Sequence, residues 1–122
     1  MSQWYSRPMV CAANLERALA FYTGTLGFTE SWRHMDGDDV LVVQVERQGC
    51  ELILSAQWPQ KVGRGMQFVS LDNETFGSLR AELEAKGAPV ESGWWGYRCL
   101  TVSDPDGNQL YFPDPDDPGG AQ

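Results

Sequence analysis

The sequence repeats one order of elements at an almost constant offset of about 60 residues. In each half a short apolar strand precedes a helix. Asn14 can cap the first helix, and Asp72 or Asn73 can cap the second. A glycine suited to end the helix recurs as Gly27 and Gly87. The duplication predicts two βαβββ modules in a single domain, residues 1–122.

Module one should span about residues 7–56 and module two about residues 65–113, before an acidic tail over 114–122. Apolar residues at helical spacing predict a helix from Asn14 to Leu26 and a second helix that buries Phe76, Leu79 and Leu83. Apolar and β-branched runs predict strands over 8–13, 28–35, 40–45, 50–56, 66–71, 89–92, 98–103 and 108–112. We therefore expect an α+β fold whose strands form a curled, mostly antiparallel, open barrel-like sheet with one concave face.

Charge narrows the classes of partner. The net charge of −8 disfavours nucleic acids and anionic membranes and favours cationic or neutral ligands, although it can also serve solubility alone. The N-terminus has no basic stretch followed by an apolar run, and no segment reaches transmembrane length. Three widely spaced cysteines, Cys11, Cys50 and Cys99, predict reduced, buried thiols and a cytoplasmic protein.

Two motifs carry a family resemblance. The stretch NLERALAFYTGTLGF at 14–28 and the stretch WGYRCLTVSDPDGNQLYF at 95–112 resemble the first helix and the last hairpin of the glyoxalase/bleomycin-resistance/dioxygenase superfamily, also called vicinal oxygen chelate proteins. The residues DPDG by themselves predict a type I turn that reverses the chain. With the element order between the motifs, the resemblance covers nearly the whole chain.

Enzymes of this superfamily hold a divalent metal with about four side chains, usually His, Glu and Gln. The resemblance carries those positions to Arg7 or Pro8, Ile53, Met66 and Tyr111, and none of these is a His, Glu, Gln or Asp. We therefore expect no metal, no cofactor and no catalytic residue. Two enzymatic alternatives stay open: a metal-dependent glyoxalase-type lyase, isomerase or dioxygenase, and a metal-free enzyme in which Glu51, His34 or Tyr111 acts as acid or base.

The expected cleft is aromatic. Five tryptophans are many for 122 residues, and strand alternation places Phe68 on the face of Met66. Such walls suit planar ring systems and cations. The predicted ligand-binding residues are Trp32, Met66, Phe68, Trp95, Tyr111, Trp58, Glu51 and His34.

Several of these predicted ligand-binding residues have a structural alternative. A one-residue slip of register would turn Phe68 and Tyr111 into the core. Trp58 could anchor its loop beside Pro59. Only one of the adjacent Trp94 and Trp95 can face the cleft, and we favour Trp95.

The pattern is similar to the bleomycin-resistance branch of the superfamily. That resemblance implies a homodimer with clefts built from both subunits, often with exchanged N-terminal strands. It also implies a protein that sequesters a drug without altering it. We expect an aromatic, cationic natural product such as a bleomycin-like compound or a chromophore-bearing peptide, and neither nucleic acid nor membrane as a partner.

Overall fold

The computed structural model describes residues 4–94 and 98–116, and it confirms the predicted α+β fold with its duplicated order of elements. Module one contains β1 (Met9–Cys11), α1 (Leu15–Ala20), β2 (Thr29–Asp36), β3 (Asp39–Arg47) and β4 (Cys50–Ser55). A short 3-10 helix, Pro59–Lys61, lies in the link. Module two contains β5 (Met66–Phe68), α2 (Asn73–Ala85), β6 (Val90–Trp94), β7 (Arg98–Ser103) and β8 (Gln109–Pro113).

Each module forms one open four-stranded sheet. The strand orders are β1-β4-β3-β2 and β5-β8-β7-β6, so the two modules repeat the same topology. The pairs β1/β4 and β5/β8 are parallel, and the other pairs are antiparallel. The mostly antiparallel character of the sheets therefore agrees with the sequence prediction.

The first helix differs from the prediction in its second half. Both helices begin with a side-chain cap, since Asn14 accepts from the backbone N–H of Arg17 and Asp72, rather than Asn73, accepts from that of Thr75. After Ala20 the chain continues as a π-helix, Phe21–Thr25. Within it the Thr23 hydroxyl donates to the backbone oxygen of Leu19, which is a local competitor of the regular helix ladder.

The helices cover one face of each sheet. Alternate strand residues point toward them and are buried, among them Val43, Val45, Leu52 and Leu54 in module one. Module two repeats the pattern with Leu100, Val102, Leu110 and Phe112. The buried residues of the helices, with Leu26 at the end of the π-helix, include Leu15, Ala18, Tyr22, Phe76, Leu79 and Leu83. The opposite face of each sheet, which we call the helix-free face, is left to carry a site.

The DPDGN segment does more than reverse the chain. The backbone N–H of Gly107 donates to the oxygen of Asp104 at 3.0 Å, which agrees with the predicted turn. The Asp104 carboxylate also accepts from the hydroxyl of Tyr22 in the first module at 2.9 Å. The Asn108 side chain donates to the backbone oxygen of Cys11 and accepts from the backbone N–H of Gly65. The turn therefore connects the two modules, a role that the sequence did not reveal.

The cysteine prediction needs one correction. All three cysteines are free thiols, as expected for reduced residues. Cys11 and Cys99 are buried, but Cys50 is only half-buried because it begins β4 beside the turn that follows β3. No helix in the described ranges is long and apolar enough to cross a membrane.

Candidate ligand-binding faces

The helix-free face of the second sheet carries an apolar pocket. Met66 and Phe68 point the same way from the edge strand β5, with 67% and 48% of their surface exposed. In the register, Phe68 lies beside Tyr111 of β8. Together with Gln67 these residues line an open pocket of about 330 Å³. The pocket is therefore large enough to admit a planar ring against aromatic walls.

Hydrogen bonding orients the Tyr111 wall. The phenol donates to the side-chain oxygen of Gln109, two residues earlier on the same strand. This bond fixes the direction of the hydroxyl along the strand, and the Tyr111 side chain lines the pocket beside Phe68.

The helix-free face of the first sheet carries a row of side chains across four strands. The register aligns Met9, Ile53, Gln44 and Trp32 from β1 to β2. Trp32 is 42% exposed, whereas Gln44 is only 6% exposed. The row therefore ends in an exposed indole beside a buried amide.

Gln44 is the centre of a hydrogen-bond network. Its side-chain oxygen accepts from Arg7 Nη1 at 2.7 Å and from Trp32 Nε1 at 3.0 Å. Its amide nitrogen donates to Glu51 Oε1 at 2.9 Å, and that same oxygen accepts from the hydroxyl of Tyr5. The network joins the N-terminal segment to β2, β3 and β4.

The sequence prediction missed Gln44, Arg7 and Tyr5 as parts of a ligand-binding face. A signal was present for Gln44, because it is the only polar residue in the apolar run from Val40 to Val45. A lone amide in a buried strand requires hydrogen-bond partners. Arg7 was considered only as a metal-ligand position, and Tyr5 gave no signal.

The predicted site residues fall into separate groups. Met66, Phe68 and Tyr111 come together in the pocket, while Trp32 and Glu51 are joined through Gln44. His34 is exposed on β2 opposite Val42, two residues beyond Trp32.

The remaining predicted residues are the other tryptophans. Trp58 is half-buried in the link, with Lys61 Nζ lying 5.2 Å from its ring centroid, and it does not line the pocket. Trp95 lies outside the described residues, so the choice between Trp94 and Trp95 stays a prediction.

The negative side chains of the first module are not equivalent. Glu30 forms two hydrogen bonds of 2.7 Å with Arg33, and these bonds lower the pKa of its carboxyl. The charge of Glu30 is therefore balanced by its neighbour. Glu51 on the helix-free face instead bonds to a neutral amide and a phenol, and it forms no salt bridge with the residues that the structure describes.

The metal-ligand positions implied by the resemblance hold Arg7 or Pro8, Ile53, Met66 and Tyr111. Ile53 pairs with Met9 across β1 and β4, and Met66 and Tyr111 line the pocket. In the described ranges no group of three or more His, Cys, Asp or Glu residues is arranged to hold a metal ion. The side chains at these positions do not fit a divalent metal of the usual kind.

A family model for the glyoxalase/bleomycin resistance protein/dioxygenase superfamily matches residues 4–112. The chain belongs to this superfamily. Its two four-stranded sheets, connected at the DPDGN turn, present the helix-free faces. No curated protein sequence gives a significant match.

Solved structures share the fold at low sequence identity. The antibiotic-binding protein TnmS3 from Streptomyces sp. CB03234 superposes with a TM-score of 0.69 at 21% identity, over 93% of this chain and 98% of that one. The bleomycin-binding protein from bleomycin-producing Streptomyces verticillus, complexed with copper(II)-bleomycin, superposes with a TM-score of 0.69 at 22% identity, over 93% of this chain and 98% of that one. A lactoylglutathione lyase from Agrobacterium tumefaciens superposes with a TM-score of 0.69 at 20% identity, over 92% of this chain and 93% of that one. Binding proteins and an enzyme therefore share this architecture.

Proposed function

We propose that the protein is a non-catalytic binding protein that sequesters an aromatic, cationic natural product and thereby protects its host. Bleomycin-like glycopeptides and peptide antibiotics that bear planar chromophores are the candidate ligands. The observation that carries the proposal is the open pocket lined by Met66, Phe68 and Tyr111. The resemblance assigns two of its walls, Met66 and Tyr111, to positions at which enzymes of the superfamily hold metal ligands.

Physical chemistry supports an aromatic ligand. A planar ring that stacks on Phe68 or Tyr111 gains roughly 0.5–1.5 kcal/mol per aromatic pair beyond the gain from burial. Methionine adapts its shape to different ligands, so Met66 suits a pocket that takes bulky natural products. The half-exposed indole of Trp32 adds a second stacking surface on the first sheet.

Electrostatics support a cationic ligand. The net charge of −8 attracts cations at long range, and Glu51 supplies a carboxylate on the helix-free face. The similarity to an antibiotic-binding protein and a bleomycin-binding protein adds support. The similarity to a lactoylglutathione lyase keeps the enzymatic alternatives in the tests below.

We further propose a cytoplasmic homodimer with N-terminal strand exchange. The edge strands β1 and β5 carry exposed methionines, Met9 at 45% and Met66 at 67%, and Trp4 is fully exposed. Exposed apolar side chains along sheet edges favour association with another chain. A second copy would cover these edges and deepen the pocket.

A titration tests the proposal. Purified protein is titrated with bleomycin and with a quinoline-bearing peptide antibiotic, while tryptophan fluorescence reports binding and light scattering reports the mass of the complex. We expect dissociation constants well below about 100 μM, equivalent to roughly −5.5 kcal/mol, and a dimer with and without ligand. Weaker binding of every aromatic antibiotic, or a monomer at all concentrations, would contradict these proposals. Elemental analysis of the same preparation tests the metal-dependent alternative, which requires a stoichiometric divalent metal.

A further inference from the structure

We propose that Gln44 is a positioning residue that holds the Trp32 indole and the Glu51 carboxylate in one fixed arrangement. The arrangement selects planar ligands that carry a cationic hydrogen-bond donor on the edge of the ring. The inference rests on the proposed function, because it specifies the ligand chemistry of the first sheet's helix-free face.

Burial makes the Gln44 amide an ordered group. Only 6% of the residue is exposed, and its oxygen accepts two hydrogen bonds while its nitrogen donates one. Rotation of the amide would break bonds to Arg7, Trp32 and Glu51 at once. A buried amide with several partners therefore has a single favourable orientation.

This orientation fixes the Trp32 ring. The indole is 42% exposed, so contacts with the protein surround only part of it. The 3.0 Å bond from its Nε1 to Gln44 holds the ring edge against the sheet. A stacking surface that is ordered before binding spares the ligand the entropic cost of ordering it.

The same amide aims Glu51. The Oε1 atom accepts from Gln44 and from Tyr5, whereas Oε2 accepts no hydrogen bond from the residues that the structure describes. Arg7 donates to the oxygen end of the Gln44 amide, and Glu51 bonds to the nitrogen end. The amide thus separates the two charges, and Glu51 keeps an oxygen for an ammonium or amidinium group of the ligand.

The competing explanation is that Gln44 only provides hydrogen-bond partners for buried polar groups and has no effect on ligand binding. The two accounts differ in what they predict for Trp32. A purely structural amide can be replaced with a loss of stability alone, whereas a positioning amide also changes the indole and the affinity for cations.

The experiment uses Gln44→Leu, which removes the acceptor and the donor, and Gln44→Glu, which keeps the acceptor for Trp32. The indole N–H resonance of Trp32, assigned with Trp32→Phe, is followed by hydrogen exchange. The ligand probes are 9-aminoacridine, a planar cation, and acridine, which is neutral at mildly alkaline pH. Glu51→Gln removes the charge and leaves the amide in place.

We expect Gln44→Leu to lose protection of the Trp32 indole and to bind 9-aminoacridine about tenfold more weakly. Gln44→Glu should retain the protection. Glu51→Gln should lower the affinity for 9-aminoacridine about tenfold and change the affinity for acridine by less than about twofold. Trp32→Phe and Glu51→Gln keep Gln44, so they test the arrangement even if Gln44→Leu does not fold.

An unprotected Trp32 indole in the wild type would overturn the inference, as would unchanged affinity in folded Gln44→Leu. Equal losses of affinity for the two dyes in Glu51→Gln would overturn the proposed selection of cations. Failure of the wild type to bind either dye would contradict the ligand class proposed for this face. The proposed function fails by a different result, namely a bound antibiotic that is released chemically altered.

Discussion

The hydrogen bond between Tyr22 and Asp104 connects the two modules, and Tyr22→Phe removes it without removing the ring. The phenol is fully buried, and its hydroxyl donates to Asp104 Oδ2 at 2.9 Å. A hydrogen bond to a charged acceptor contributes about 1.5–3 kcal/mol to stability. Asp104 keeps its bonds from Asp106 and Asn108, so we expect a loss of about 2 kcal/mol in the free energy of unfolding at neutral pH.

The pH dependence of the same variant gives a second, independent result. Burial, followed by the charge of Asp104, raises the pKa of Tyr22 above its ordinary value of 10.0. Because the folded chain holds the phenol proton more tightly than the unfolded chain, this contribution is complete below about pH 10 and is lost as the pH rises further. The wild type should lose about 1.4 kcal/mol per pH unit there through Tyr22, and the variant should not.

Urea unfolding of both proteins across neutral and alkaline pH measures this difference. The curves of unfolding free energy against pH should be about 2 kcal/mol apart at neutral pH. They should meet about one and a half pH units above the ordinary pKa of tyrosine. Tyr111→Phe is the control, since its half-buried phenol donates to Gln109 outside the module junction and should lose less than about 1 kcal/mol. A gap between wild type and Tyr22→Phe below about 0.5 kcal/mol, or one that stays constant into the alkaline range, would refute the reasoning.

Three further substitutions test the junction and the pocket. Asn108→Ala leaves the buried backbone oxygen of Cys11 and the half-buried backbone N–H of Gly65 without side-chain partners, so chemical denaturation should show a loss of about 3 kcal/mol in the free energy of unfolding. A loss below about 1 kcal/mol would contradict the role of Asn108 in connecting the two modules. Gly63→Ala should lower the free energy of unfolding by at least about 3 kcal/mol, because its φ is +78° and a Cβ would lie 2.5 Å from the backbone oxygen of Asp106. The control Gly87→Ala, at φ +65° in open space, should lower it by about 1 kcal/mol. Equal losses in the two variants would contradict this account. Phe68→Ala should weaken antibiotic binding about tenfold, whereas Met35→Ala, a similarly exposed residue outside the pocket, should leave affinity unchanged; equal effects on the titration midpoint would argue against the pocket.

The sequence predicted the order of the elements because that order depends on local signals. Caps, glycine stops and apolar periodicity placed both helices and the strands to within a few residues. The π-helix after Ala20 was not predicted, because the apolar spacing from Leu15 to Leu26 is that of a regular helix and does not distinguish the two forms. Strand β5 also ends at Phe68, earlier than its apolar run suggests.

The candidate site was predictable only where alternation determines direction. Strand parity brought Met66 and Phe68 to one face, and the resemblance added Tyr111. The Gln44 network was missed because it joins residues far apart in the chain, including the N-terminal segment with Tyr5 and Arg7. The connecting role of the DPDGN turn was missed for the same reason, because Tyr22 and Asp104 meet only in the folded chain.

The most direct test of sequestration is to bind an antibiotic, then release it and measure what returns. The protein is incubated with bleomycin in excess protein, the complex is isolated, and the protein is denatured to free the ligand. Sequestration predicts that antibiotic potency disappears in the complex and returns in full after denaturation, with the mass of the ligand unchanged. A ligand of altered mass, or potency that does not return, would contradict the central claim and favour an enzyme on this fold.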